Sequence, residues 1–559
     1  MKRSKNLFAL VLCVSLLFTG CGSNSSSELS AAGDSQSASY AEKLFTTDTV
    51  HTIDVELSAE DWADLKENPT DKTKYKAAVT IDGETISDVS FATKGNTSLT
   101  AVAQDEDSDR YSFKINFGKY TDGQTYYGLD KLNLNNLYAD ATYMKDYLSY
   151  RIFEEAGLDS PLTSYIWVTV NGEDVGLYLA IEDVSESYLT RTTEGEGELY
   201  KPETEQLANM ANANNGMQMP DHTGSSDQTQ PPAADGETGT GAQSGDTGQM
   251  TPPTNGEMPE MPNGDSKSEN MPEGVGGHNM GQVGPNGNLG GGDNGASLKY
   301  TDDEIESYSD IFDNAETDAD DSDMQQVIAA LKNLSEGNVE DSLDTDSVIA
   351  YFAAHNFVMN YDSYTGNMLH NYYLYENDGK LSMIPWDYNL AFGAFTGQNN
   401  SGTELNNATA IVNCGIDSPL SGAEEDDRPM WSWITSDEEY LEKYHDVMDH
   451  LITGYFESGE FETEVNAIYK MILPYVEKDT SGFYDAEEFQ TAFETLKTFC
   501  TKRAESIRLQ LDGTLSTVTS EQTQNSKVDA SDITISDMGS QGGTAGTGPE
   551  RQGTTQQNN

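Results

Sequence analysis

The chain has 559 residues, enough for two or more domains with a large core, and 95 Asp and Glu against 31 Lys and Arg give it a formal net charge of −64. That surplus of acid excludes nucleic acid as a partner and an electrostatic grip on anionic membranes. It suits a well-solvated surface, divalent cations or a basic partner.

Residues 1–21 read as a secretion signal. Lys2, Arg3 and Lys5 form the basic start, and Leu7–Phe18 is an apolar run too short to span a bilayer as an ordinary helix. Thr19-Gly20-Cys21 resembles a bacterial lipobox, with Phe18 where Leu is usual. The expectation is a lipid on Cys21, anchoring the protein to the extracytoplasmic face of the cell membrane, with membrane contact through that anchor alone. The stretch 22–45, rich in Ser, Asn and Gly at its start, is expected to be a flexible tether. Two cysteines remain, Cys414 and Cys500, too few for a disulfide scaffold or a zinc site.

Residues 46–203 alternate strand patterns with short helices. HTIDVELS has period two, SAEDWADLKEN starts a helix on a Ser cap, and a hairpin follows about Asp82-Gly83. The small-residue loop Lys94–Ser98 ends that hairpin and could present backbone N–H groups to an anion. Lys114 lies on the alternating strand YSFKINF, and Lys131 opens another. Asp140 is expected to cap a helix running to Ala156 and stopped by Gly157, with Asp146, Glu154 and Glu155 as its acids. A second hairpin turns at Asn171-Gly172 and ends in Glu182-Asp183.

Residues 204–297 are Gly, Pro, Asn, Met and Gln, a composition that cannot bury enough apolar surface to offset its ordering entropy, so a disordered insert is expected. Its methionines also admit a soft-metal reading, against which stands their irregular spacing. Ordered sequence resumes at 298. The acids Asp318–Asp323 lack the ligand spacing and central Gly of an EF-hand loop. DTDSVIAYFAAHNFVMN is an amphipathic helix, and three helical patterns after Gly393 carry the chain to 512. Residues 513–559, rich in Ser, Thr, Gln and Gly, are expected to be a flexible tail; their hydroxyls could serve as substrates in cis or simply as spacer.

The stretch His355–Gly393 carries the chemistry. It holds Asp362, Asn367 five positions on, a hairpin turning at Asn377-Asp378-Gly379, and then Asp387. Phosphoryl transfer to a hydroxyl needs one carboxylate to orient the hydroxyl proton, and an amide oxygen with a second carboxylate to hold divalent cations against phosphates. The Asp-to-Asn interval equals that of the protein-kinase catalytic loop, although Asn360 and Tyr361 stand where His and Arg are usual.

With KLNLNN (131–136), DATYMKDYLSYRIFEEAGLDSP (140–161), VNGEDVGLYLAIEDV (170–184), LYK (199–201), NYDSYTGN and IPWDYNLAFG, the chain from about Val50 to Asp512, insert excepted, resembles the CotH family of atypical, spore-coat-type kinases. The resemblance implies an α+β, divergent two-lobed kinase-like fold, with a β-rich N-lobe over 46–203 and a mostly helical C-lobe over 298–512. It implies ATP with magnesium or manganese as cofactors, and phosphorylation of Ser or Thr on proteins, with cell-surface or coat proteins and the chain itself as candidate substrates. On that basis Asp362 is the catalytic base or hydroxyl orienter and Asn367 with Asp387 the metal ligands. Lys114, or failing it Lys131, holds phosphate. Residues 181–184 form the hinge, where Glu182 contacts ribose or adenine or is an ordinary strand-end acid. Two other readings stay open: a catalytically retired surface scaffold or adhesion protein with the same fold, and hydrolysis by the paired carboxylates Asp362 and Asp387.

Overall fold

A computed structural model describes residues 40–204, 294–395 and 408–539. The expected signal segment with Cys21, most of the expected tether and insert, and the last twenty or so residues of the expected tail lie outside them. No helix among the described residues is long and apolar enough to cross a membrane.

Seven strands build the N-terminal half: β1 (His51–Glu56), β2 (Tyr75–Ile81), β3 (Glu84–Lys94), β4 (Ser112–Asn116), β5 (Lys131–Asn135), β6 (Thr163–Val170) and β7 (Glu173–Glu182). The hairpins expected at Asp82-Gly83 and Asn171-Gly172 form, with both residues of each turn at positive φ (46° and 86°; 53° and 77°) as a type I′ connection requires. The two-lobed kinase-like fold expected from the resemblance does not form. The strands close into a barrel in the order β1-β2-β3-β4-β5-β7-β6, the seam being a parallel pairing of β1 with β6, Ile53 opposite Val168. Alternation along each strand reveals where strands are, but closure depends on a pairing over a hundred residues apart, which no local pattern encodes. Val55, Phe91, Phe113, Ile115, Leu132, Leu134 and Tyr178 fill the interior.

Between β5 and β6 the chain leaves the barrel as helix α1 (Lys145–Glu155). It starts later than Asp140, yet Asp140 still caps it from outside: its carboxylate accepts from the N–H of Lys145 at 2.9 Å and from Thr142 N–H at 3.0 Å. The C-terminal half has α2 (Asp321–Ser335), α3 (Thr345–Val358), α4 (Glu438–Leu451), α5 (Glu460–Val476) and α6 (Ala486–Leu511). A three-stranded sheet completes it, ordered β10 (Lys380–Pro385), β9 (Tyr372–Asn377) and β8 (Glu198–Tyr200). α1 shares one apolar core with these helices through Leu148, Ile152 and Phe153 against Tyr351 and Tyr388.

Both expected flexible ends are shorter than their compositions suggest. Tyr40 is fully buried and opens a short helix, Tyr40–Leu44. Beyond Gly513 the chain packs down as far as Gly539: Ile533, Ile535 and Met538 are buried, and Asn413 holds the backbone of Val528 from both sides at 2.8 and 2.9 Å. Lys145 Nζ, itself buried, donates to the carbonyl of Gly539 at 3.0 Å. Sparse apolar residues placed at docking points suffice here, where an average over the segment reads as polar.

The ends of the insert are also fixed. Glu203 N–H donates to the Asp310 carbonyl at 2.9 Å, and Asp310 N–H donates to the Asn294 carbonyl at 3.1 Å. The barrel and the helical half meet at Arg110, whose guanidinium is 1% exposed and bonds Asp479 at 2.9 Å and Ser481 at 2.7 Å.

Candidate active site

The outer faces of β3, β4, β5 and β7 look across a cleft at the β9–β10 hairpin and the loop that precedes it. Parity along the strands decides which side chains enter. Lys114 pairs in register with Asn133, and Asp183 follows directly on β7. Lys114 Nζ lies 2.8 Å from Asp183, whose other oxygen accepts from Asn133 at 2.8 Å. Against its burial, Lys114 and these hydrogen bonds hold Asp183 below the usual carboxylate range. Lys131 sits 3.9 Å from Asp130.

Glu182, expected at the nucleotide, lies on the opposite parity and leaves the cleft. It shares the interior row of Leu132, is fully buried, and accepts from Tyr40, from Arg191 at 2.7 and 3.1 Å, and from Leu162 N–H at 3.1 Å. Every carboxylate oxygen is engaged, so its role is to close one end of the barrel, and the neighbouring Asp183 is the acid facing the cleft.

On the opposite wall, Asp387 follows β10 in a left-handed conformation (φ 56°) that costs a non-glycine residue about 1 kcal/mol or more. Its N–H donates to Tyr150 Oη at 3.1 Å, its carbonyl accepts from Asn360 at 3.2 Å, and the next N–H, of Tyr388, donates to Asp146 at 2.7 Å. Asp146 is thus the α1 acid that reaches the site; Glu154 and Glu155 instead pair with Arg151. Burial and then the neighbouring Asp387 push the Asp146 carboxyl up to about 7. Burial also raises Asp387, with Asp362 adding to the effect and Lys94 opposing it.

Asp362 lies in the loop after α3. One oxygen is 3.4 Å from His370 Nε2 and the other accepts from Asn371 Nδ2 at 3.1 Å, which also reaches the Asp362 carbonyl at 2.8 Å. The amide that meets Asp362 is therefore Asn371. Asn367 is exposed, and its amide lies against Gly422, so closely that a Cβ there would meet its oxygen at 2.7 Å.

Lys94, the last residue of β3, is the lysine with the closest electrostatic tie to Asp387. Burial lowers its pKa, and Asp387 is the strongest influence restoring it. Its Nζ donates to the neutral amide of Asn135 at 2.8 Å and lies 5.3 Å from the Trp386 ring. Lys201, paired with Glu203 at 2.8 Å, faces Asp387 and Glu316 from the other wall. Lys72 donates to Asn96 at 2.7 Å, and burial followed by repulsion from Lys201 lowers its pKa. Lys94 and Lys72 each donate to a neutral amide rather than to a carboxylate, in a chain with three acids for every base. Among the described residues no group of three or more His, Cys, Asp and Glu is placed to hold a metal unaided.

A family model described as CotH kinase protein matches residues 91–245 and 276–507, well over half of the chain. The chain belongs to that family. Inner spore coat protein H of Bacillus subtilis (strain 168) is 27% identical over 140 residues, covering 25% of this chain and 36% of that protein. Inner spore coat protein H-like protein of the same organism is 29% identical over 93 residues, 17% of this chain and 29% of that one. The chain thus spans about a third of the length of these curated relatives. The family model begins at Phe91, so in this CotH chain its match takes in Lys94 and reaches both walls of the cleft.

Sequence reasoning passed over Lys94, Asn371, His370 and Asp183. For Lys94 a signal existed, since it opens the small-residue loop whose backbone N–H groups could meet an anion. Asn371 was hidden because an interval of five from Asp362 suggested Asn367, and an interval of nine has no local meaning.

Proposed function

We propose that this protein transfers the γ-phosphate of ATP, with magnesium or manganese, to Ser or Thr hydroxyls of cell-surface or coat proteins, itself included, while held at the outer face of the cell membrane by a lipid on Cys21. The observation that carries the reading is the meeting of Asp387 with Asp362, Lys94 and Lys201, Asp362 being held by His370 and Asn371 at 3.4 and 3.1 Å. Asp362 orients the acceptor hydroxyl and receives its proton. Asp387 and Asn371, the latter in the role the Asp-to-Asn interval assigned to Asn367, present oxygen donors; hard oxygens of this kind fit magnesium, which is commonly held by one or two carboxylates with phosphates and water completing the shell. Such a cation, when bound, neutralises phosphate charge and orients the transferred group. Lys94 and Lys201 hold phosphate oxygens from opposite walls, and Lys114 with Lys131 lines the far end of the cleft.

Asp387→Asn tests the reading. Asn tolerates the left-handed backbone at this position, so the fold should survive while the charge is lost. Phosphate transfer from radiolabelled ATP should fall at least about 100-fold, as expected when a metal-holding carboxylate is removed. ATP with magnesium at about one hundred times its Kd should stabilise the parent protein by about 2.7 kcal/mol in thermal unfolding, and Asp387→Asn should show no such gain. Transfer by Asp387→Asn at the parent rate removes the assignment. No stabilisation of the parent by any nucleotide and metal leaves a surface-anchored scaffold in its place.

A further inference from the structure

His370 is a cleft residue with no part in holding metal or phosphate. It sits between Leu369 and Asn371, both in left-handed conformations (φ 53° and 58°). Two such non-glycine residues flanking one side chain is a costly arrangement that the surrounding structure must enforce. Its effect is to bring His370 and Asn371, adjacent in sequence, onto the two different oxygens of Asp362, at 3.4 and 3.1 Å. The Asp362 carbonyl accepts from Asn371 as well, and its N–H donates to Asn360 at 3.2 Å, so the whole residue is held from three sides.

The other histidines of the helical half behave differently: His450 is exposed on α4, its Nδ1 2.7 Å from the Asp446 carbonyl of its own helix. His355 is fully enclosed and has partners on both ring nitrogens, Tyr388 and Thr365. His445 pairs with Asp417 at 2.7 Å on α4, outside the cleft. His370 Nε2 faces Asp362, while its Nδ1 is buried with no hydrogen-bond partner among the described residues. Only one side of the imidazole is therefore in use, and that side meets the carboxylate.

We propose that His370 is a positioning residue for Asp362. Through its Nε2–H it fixes one carboxylate oxygen while Asn371 fixes the other, leaving the remaining lone pairs of both oxygens for the acceptor hydroxyl. The effect on transfer rests on the kinase reading above; the His370–Asp362 contact itself does not.

The experiment uses the full-length protein with ATP, magnesium and dephosphorylated casein as acceptor, alongside ring-nitrogen NMR of protein labelled at its 7 histidines. His370→Ala should lower kcat about 10- to 100-fold with the KM for ATP changed by less than about 3-fold, the pattern of a misplaced group rather than a lost binding contact. His370→Gln, whose side-chain amide can stand in for Nε2–H, should recover at least about a third of the parent rate. His445→Gln, which removes a His–Asp pair elsewhere, should leave kcat unchanged. In the spectra, the signal absent from His370→Gln should shift in Asp362→Asn. A parent rate in His370→Ala, or a glutamine variant no better than the alanine one, overturns the proposal. A His370 signal indifferent to Asp362→Asn overturns it as well, whether or not the parent transfers phosphate. Parent protein without transfer, but with the shifted signal, refutes the kinase reading and keeps the contact.

Discussion

Both ring nitrogens of His355 are engaged, one with Tyr388 Oη at 2.8 Å and the other with Thr365 Oγ1 at 2.7 Å, so this single side chain ties the end of α3 to the loop bearing Asp362 and to the residue after Asp387. Burial holds its pKa down to about 3, against an ordinary value near 6.5. Between those values the unfolded chain takes a proton that the folded chain refuses. The stabilisation from the neutral ring is therefore complete above about pH 6.5 and is lost as pH falls toward 3, at up to about 1.4 kcal/mol per pH unit. Urea unfolding of the parent and of His355→Gln at pH 7, 6, 5 and 4 should show the variant's stability falling less steeply, by about one proton's worth. Parallel curves would show that some other group governs acid sensitivity. The positive φ angles of Met359, Leu369, Asn371, Asp387 and Phe392 fall within the same stretch, a concentration of backbone cost that marks it as built for something other than stability.

At the level of strands and helices, the most consequential join is the one between β7 and the turn after α5. Gly176 has φ 127°, and a Cβ there would lie 2.5 and 2.6 Å from the Asp479 carboxylate oxygens and hard against Arg110. Leu177 N–H donates to that same carboxylate at 2.9 Å. Gly176→Ala should destabilise the protein by about 3 kcal/mol or more, from backbone strain together with a disrupted buried ion pair, measured by chemical denaturation. A loss under about 1 kcal/mol would mean that the pair relaxes freely. At this same level the sequence was most readable. Asp82-Gly83, Asn171-Gly172 and Asp378-Gly379 announce their hairpins because a type I′ turn needs two positive φ values, a local demand that a dipeptide states outright. Asp362 and Asp387 were readable as neighbours for a related reason, since a hairpin between them returns the chain to its starting point. Whether Glu182 or Asp183 faces the cleft was not readable. That choice turns on which face of β7 the closing barrel places inward, and one step of parity reverses it.

For the molecule as a whole, the two ends of the segment 205–293 meet on Asp310, one on its carbonyl and the other on its N–H. The Gly-, Pro- and Asn-rich composition of 205–293 predicts an unpacked loop, so replacing it by a Gly-Ser linker of about six residues should leave the thermal midpoint equal or higher, a shorter loop costing about 2 kcal/mol less to close by the logarithmic length rule. A clear fall in stability would mean that the segment packs onto the rest of the protein. The seam between β1 and β6 has a consequence for how the molecule comes into being. The first strand made has its parallel partner only once Val170 exists, with β2 to β5 and α1 in between. Until then two hydrogen-bonding edges stand open, one of them bearing the apolar Ile53 and Val55, and such edges invite pairing with other chains. Refolding should be slow for the size of the barrel, as non-local closure generally is, and its yield should drop as protein concentration rises.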